Sequence, residues 1–381
     1  MKTIIAIDSF KGSLSSLEAG NAVKVGVAKA WPEMETVVCP LADGGEGTVE
    51  ALLSGMGGEP VTIKITGPMG EKTDCTYGFI KAENTAIIET AASAGISLVP
   101  KESRNPLYAS SYGLGENIKD AVLRGIRKFI IGLGGSVTND CGMGMLEALG
   151  FKFFDDSGSL LKGNGLNLSL VRKIDDSDVI QSLSECTFEI ACDVNNPLCG
   201  ENGASFVFGF QKGANIETVK ILDFGCRNFS ERVFEKYGKA NAEIPGAGAA
   251  GGLGYCFSTF FNSKMRSGID IVIEKTRLEQ KIKTADYVVT GEGRIDFQTA
   301  MGKAPAGITS LAQKYGACVI GIAGSVADGA VKCNESGMAA FFSVLPGPLT
   351  LEEAMDKKTA TKNIENTSEQ IFRLIKAAKR I

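Results

Sequence analysis

The sequence predicts a two-domain α/β protein: a doubly wound parallel-sheet domain built from the N- and C-terminal segments, carrying an inserted second α/β domain. Three observations predict it. A chain of 381 residues, at roughly 150 residues per domain, divides into two or three units. Both ends alternate short β-branched runs with helical stretches, the rhythm of a parallel sheet covered on both faces. The middle changes to hairpin-like pairs before helix and strand alternate again. The expected segments are 1–60 and 285–381 for the outer domain and 61–284 for the insert, with the active site in the cleft between them.

Element by element, Thr3 to Ile7 is a β-branched run, and Ser15 with Glu18 has capping-box spacing ahead of a helical stretch reaching about Trp31. Thr36 to Cys39 is a second apolar run, which completes β-α-β. Val61 to Ile65, Thr73 to Ile80 and Ala86 to Glu89 are parted by Gly67-Pro68-Met69-Gly70 and Glu83-Asn84, turn sequences of antiparallel hairpins. Helices at Glu116 to Arg124 and Gly142 to Leu149 then alternate with strands at Phe129 to Leu133, Phe151 to Phe154 and Phe188 to Cys192. Near the C-terminus come strands at Tyr287 to Thr290, Cys318 to Ala323 and Phe341 to Leu345, a helix at Ala304 to Tyr315, and a Lys-rich helical tail.

Composition excludes whole classes of function. The 44% hydrophobic content and 47 glycines without a collagen period rule out disorder and fibres. With 40 Lys plus Arg against 44 Asp plus Glu, the formal charge of -4 offers no basic field, so neither nucleic acid nor a membrane is expected as a partner. Histidine is absent, which excludes a Ser-His-Asp triad, a Cys-His dyad and His-ligated zinc. Any general base must be a carboxylate, a lysine or a thiolate. The ten cysteines form no C-x-x-C pair, Lys2 interrupts any signal-like start, and no apolar run reaches 18 residues. A reducing cytoplasm and free thiols are therefore expected, with Cys141 and Cys192 as packing residues. Trp31, Phe206, Phe208 and Phe210 are expected to fill core. A homodimer is compatible with the sequence, which does not set the oligomeric state.

In open parallel sheets ligands bind beyond the carboxyl ends of the strands. Five loops at such positions pair glycine with carboxylate or cation: Asp8-Ser9-Phe10-Lys11-Gly12, Asp43-Gly44-Gly45-Glu46-Gly47, Gly134-Gly135-Ser136-Val137-Thr138-Asn139-Asp140, Asp193-Val194-Asn195-Asn196, and Gly291-Glu292-Gly293-Arg294-Ile295-Asp296, the last followed by Gln298, Thr299, Gly302 and Lys303. Glycines let backbone amides close on phosphate oxygens, and carboxylates hold the Mg²⁺ that bridges them. Asp140 suits a helix cap equally well. Gly246-Ala247-Gly248-Ala249-Ala250-Gly251 satisfies G-x-G-x-x-G but follows no buried strand, so the dinucleotide fingerprint lacks its context, and no P-loop pattern occurs.

The motifs D-S-F-K-G-S at Asp8, P-L-A-D-G-G-E-G-T at Pro40, G-L-G-G-S-x-T-N-D at Gly132, A-C-D-V-x-N-P-L at Ala191, P-G-A-G-A-A-G-G-L-G at Pro245 and G-E-G-R-I-D-x-Q-T at Gly291 resemble the bacterial glycerate kinase family of the first type. The resemblance runs from about Lys2 to Met355. It implies ATP-dependent phosphorylation of D-glycerate with Mg²⁺ and two α/β domains around a cleft; in enterobacterial-type members the expected product is 2-phosphoglycerate rather than 3-phosphoglycerate, made during growth on glucarate or galactarate, and the sequence leaves open which hydroxyl is phosphorylated. Two positions depart from the family pattern: Cys141 replaces a glycine where a positive φ or close approach is expected, and Phe210 replaces a proline.

On that resemblance, Lys11, Arg294 and Lys303 are the cations placed nearest the substrate carboxylate and the transferring phosphoryl group. Asp193 is the first choice of base and Asp296 the second, while Mg²⁺ is held by Asp296 or Glu292. Asp8, Ser9, Asp43, Gly44, Gly45, Gly134, Gly135, Ser136, Asn139, Asp140, Gly246, Gly248, Gly251 and Gly252 are candidates for substrate or nucleotide contact. Which glycine loop serves ATP stays open, as do a dinucleotide-dependent oxidoreductase and a ligand sensor without turnover.

Overall fold

The computed structural model describes residues 1–297, 299 and 304–379. Two compact units emerge: Met1–Asp43, Glu50–Gly57 and Ile269–Ile381 form the first, Gly44–Val49 and Gly58–Gly268 the second.

The first unit is a five-stranded, wholly parallel sheet in the order Ala340–Ser343, Cys318–Val326, Tyr287–Ile295, Lys2–Ile7, Glu35–Val38. Its two central strands run in register from Thr3↔Tyr287 to Ile7↔Gly291. Alternation along each strand divides its side chains between two covered faces. Ile5, Ile7, Tyr287, Val289, Ile320 and Ile322 join a core with Val23 and Val27 of the Ser16–Ala30 helix and Ile364, Ile371 and Phe372 of the Lys357–Ala378 helix. Ile4, Val288 and Val319 alternate with them and are equally buried, and the Ala304–Lys314 helix packs on the two neighbouring strands. The Ser16–Ala30 helix begins with the expected capping box: Ser15 Oγ accepts the Glu18 amide and Glu18 accepts the Ser15 amide. Where this helix meets the Lys357–Ala378 helix, a Cβ on Gly26 would lie 2.3 Å from the Glu365 carbonyl oxygen.

The second unit is a six-stranded mixed sheet in the order Ser263–Arg266, Thr187–Ala191, Lys128–Gly132, Thr85–Glu89, Lys72–Ile80, Glu59–Thr66. The hairpins expected in the middle of the sequence are its antiparallel end, and Thr85–Glu89 then pairs in parallel with Lys128–Gly132. Its core mixes aliphatic and aromatic side chains, with the Phe129 and Phe188 rings stacked at 4.8 Å. Lys152–Phe154, expected as one more strand, belongs instead to a separate three-stranded antiparallel sheet with Leu160–Leu161 and Lys173–Asp175. The 22-residue Ile216–Tyr237 helix has no counterpart in the sequence reading; Asn215 caps it by accepting the Thr218 amide. Phe210, expected in the core, is 53% exposed. All ten cysteines are free. Among the described residues no helix is long and apolar enough to cross a membrane.

Gly26 offers a test whose sign discriminates. In an exposed helix Gly→Ala is stabilising by about 1 kcal/mol. Here Gly26→Ala is expected to lower the unfolding free energy in urea titrations by about 1–3 kcal/mol, because the methyl group would overlap a neighbouring backbone.

Candidate active site

A doubly wound sheet exposes strand ends and helix starts most openly where its winding reverses. In the first unit that point lies between Lys2–Ile7 and Tyr287–Ile295. From the first, the chain winds to Glu35–Val38 on one side; from the second, it winds through Cys318–Val326 to Ala340–Ser343 on the other. Asp8 stands at the end of the first strand, and its amide extends the ladder to the Gly291 carbonyl at 2.9 Å. Gly291 is held to glycine, since a Cβ there would lie 1.9 Å from the Ile322 carbonyl oxygen.

The Asp8 side chain is 6% exposed and accepts the Ser9 amide at 2.7 Å. Burial pushes its carboxyl up to about 7; the charge of Asp43 and, more weakly, Glu292 adds to this, while the Ser9 amide and Lys11 oppose it. Lys11 Nζ lies 3.4 Å from Asp43 Oδ2 in a pair open to solvent, and Asp43 and Asp8 hold the ammonium more firmly protonated. On the Tyr287–Ile295 strand and just beyond it, Thr299 donates to Glu292 Oε1 at 2.6 Å and accepts the Asp296 amide at 3.1 Å. Arg294 Nε lies 3.6 Å from Asp296 Oδ2, with the arginine side chain 65% exposed. Asp8, Ser9, Lys11, Asp43, Glu292, Arg294 and Asp296 thus gather around one switch point. Lys303, with Gln298 and Gly302, lies outside the described residues.

Among the described residues no group of three or more Cys, Asp or Glu side chains is set to hold a metal ion. Magnesium, however, takes one or two carboxylates and completes its shell with phosphates and water. Glu292 and Asp296, two hard oxygen ligands joined through Thr299, fit that requirement.

In the second unit the glycine loops pack on one another. A Cβ on Gly134 would lie 2.5 Å from Gly45 Cα and one on Gly44 2.7 Å from Ala191 Cβ, and the Gly134 amide already donates to the Gly44 carbonyl at 3.2 Å. Gly135 is exposed and Ser136 is 5% exposed at the rim of this loop. Asn139 and Asp140, expected at the ligand, are wholly buried. Asn139 Nδ2 donates to Ser205 Oγ at 3.1 Å. The Asp140 carboxylate accepts the Ser111 amide and hydroxyl and the Gly142 and Gly144 amides, so it braces the start of the Met143–Ala148 helix, as the capping alternative anticipated. Burial raises its pKa and these donors lower it, with burial the larger effect. Cys141 has φ +50°, the left-handed conformation that the departure from glycine suggested. Asp193 is exposed and accepts the Gly268 amide at 3.1 Å.

The Gly246–Gly252 segment is no dinucleotide cradle. The amides of Gly248 and Gly252 donate to the Asn196 and Ala249 carbonyls, and a Cβ on Gly251 would lie 2.0 Å from the Thr138 carbonyl oxygen. Gly248, Gly251 and Gly252 serve close packing of backbone on backbone, and a nicotinamide oxidoreductase is unsupported. Lys212 is the functional candidate that sequence reasoning missed: it lies in the Phe208-Gly209-Phe210-Gln211-Lys212-Gly213 stretch yet is 2% exposed. A lysine beside a glycine turn in an apolar stretch was the available signal.

A buried carboxyl and solvent-open ion pairs thus sit at the switch point of a doubly wound sheet in the first unit. A sequence model described as the Glycerate kinase family matches residues 3–376. The chain is 43% identical over 379 residues to a protein of Bacillus subtilis (strain 168) named glycerate kinase, covering 100% of this chain and 99% of that one. It is 43% identical over 371 residues to one of Escherichia coli (strain K12) named glycerate 2-kinase, covering 97% of each. A crystal structure from Salmonella typhimurium LT2, assigned as a glycerate kinase 2, superposes with a TM-score of 0.87 at 41% identity over the whole of both chains. The chain belongs to the glycerate kinase family and is a kinase.

The Asp8 carboxyl yields a pH test. A carboxyl whose proton is held more tightly in the folded state, about 7 against 3.8, makes folding less favourable as pH rises between those values, and the deficit is complete above 7. At about 1.36 kcal/mol per pH unit, Asp8→Asn is expected to raise the unfolding free energy at pH 8 by roughly 2–4 kcal/mol and to leave it unchanged near pH 3.5. Urea titrations at the two pH values check this; an equal effect at both would exclude ionisation as the source.

Proposed function

We propose that the protein transfers the γ-phosphoryl group of ATP to the 2-hydroxyl of D-glycerate, in the cytoplasm, during sugar-acid breakdown. The observation that carries this is the buried Asp8 carboxyl beside Asp43, Glu292 and Lys11 at the switch point of the first unit. The name of the Escherichia coli relative, glycerate 2-kinase, supports the 2-position.

Phosphoryl transfer asks a protein mainly for positioning and for charges that meet the transferring group. Without histidine, removal of the hydroxyl proton falls to a carboxylate. Asp8 fills that role: burial gives it a proton affinity matched to neutral pH, so it can accept a proton there and release it again. Lys11 and Arg294 supply cations for the glycerate carboxylate and the phosphates, with Lys303 a third candidate. Glu292 and Asp296 would hold magnesium, which when bound neutralises phosphate charge. Asp193 remains the competing base; its exposed carboxylate accepts a backbone amide.

Purified protein with D-glycerate, ATP and Mg²⁺ is expected to release ADP, and phosphorus NMR of the product is expected to place the phosphate on the 2-oxygen. Binding without ADP release would point to a sensor and sink the proposal. Asp8→Asn is expected to lower kcat by about 10²–10⁴-fold, with Asp193→Asn staying within about tenfold of the parent. The reverse ranking would make Asp193 the base.

A further inference from the structure

Lys212 closes a single helical turn, Phe210–Lys212, and its ammonium runs into the interior of the second unit. Nζ donates to Ser136 Oγ at 3.0 Å and to the Thr138 carbonyl at 2.7 Å, both neutral groups. Asp140 is the opposite charge that acts on it most strongly, yet Asp140 already accepts four hydrogen bonds, and among the described residues the two form no ion pair. Burial lowers the lysine to about 8, with Asp140 and Cys226 opposing. A desolvated cation with neutral partners is unfavourable unless an anion comes close.

The loop it supports is where such an anion can arrive. Ser136 follows exposed Gly135, which has φ +75°, and the loop is pinned from behind by hydrogen bonds from the Ile96 amide to the Gly135 carbonyl and from the Val137 amide to the Ala94 carbonyl. Because Ser136 Oγ accepts from an ammonium, its own proton is left to donate, and among the described residues it meets no acceptor. In the same loop Thr138 Oγ1 and Asn139 Oδ1 are buried with no hydrogen-bond partner among the described residues.

We infer that Lys212 is a positioning residue that turns the Ser136 hydroxyl outward and supplies positive potential behind it, making the Gly134–Ser136 loop the seat of a substrate oxyanion. The oxyanion is a carboxylate or a phosphate; which substrate contributes it is a separate question that the same experiment answers. The inference rests on the kinase reading only for the identity of the ligands.

The test uses calorimetric titration of the full chain with D-glycerate alone and with ATP alone, comparing the parent with Lys212→Met and Ser136→Ala. Both variants are expected to weaken binding of one of the two ligands by tenfold or more and to leave the other within twofold. Weakening confined to D-glycerate assigns the carboxylate, and weakening confined to ATP assigns a phosphate. Unchanged affinities, whatever happens to the melting temperature, would overturn the inference, as would equal weakening of both ligands, which marks general disruption. If Lys212→Met does not fold, Ser136→Ala decides by itself, since it removes only the hydroxyl. Parent protein that binds both anions without releasing ADP would sink the kinase proposal and leave the loop assignment standing.

Discussion

The pairing of Lys2–Ile7 with Tyr287–Ile295 is the constraint on which the first unit depends. It joins segments from opposite ends of the chain, and its register sets the carbonyl of Gly291 against the amide of Asp8. A one-residue slip would turn every side chain of the strand to the other face, exchanging the core set of Ile5 and Ile7 for Ile4 and Ala6. Both faces are buried, so the register is specified twice. Closure of so long an intervening stretch is entropically unfavourable. The apolar faces covered by the Ser16–Ala30, Lys357–Ala378 and Ala304–Lys314 helices offset that loss.

Two ionisable groups, one in each unit, are displaced from their ordinary behaviour by the same cause. Burial makes Asp8 a weaker acid and Lys212 a weaker base, because in both it disfavours the charged form. Neither is neutralised by a close ion pair of its own among the described residues; each is instead held by short hydrogen bonds, Asp8 by the Ser9 amide and Lys212 by a hydroxyl and a carbonyl. Asp140 shows the contrasting solution. It is buried more deeply still, and although burial outweighs them, four donors hold it, which suits a group whose work is to hold a loop and a helix start together. Incomplete compensation inside a fold is a recurrent mark of positions kept for chemistry rather than stability.

The glycines divide in a similar way. Gly132, Gly134, Gly248, Gly251, Gly252 and Gly254 lie where another backbone comes within a distance no Cβ tolerates. Gly135, at the rim of its loop, is exposed. A motif rich in glycine therefore does not distinguish an anion cradle from a tight backbone crossing, since both ask for the same missing side chain.

Much of the fold was legible in the sequence because strand and helix periods are local properties: the capping box at Ser15, the hairpins after Val61 and the parallel strands at both ends could be read directly. The 22-residue helix at Ile216 escaped because its charged residues dilute the apolar stripe, and Lys152–Phe154 was misplaced because a short apolar run does not reveal which sheet it will join. The list of chemically capable residues, and the exclusion of histidine chemistry, followed from the sequence by itself. What only the tertiary structure decided was which of them are desolvated: that Asp8 is buried and Asp193 exposed, that Asp140 is braced on all sides, and that Lys212 lies inside. Desolvation is set by every atom packed around a group, and most of those atoms belong to residues far away in the chain.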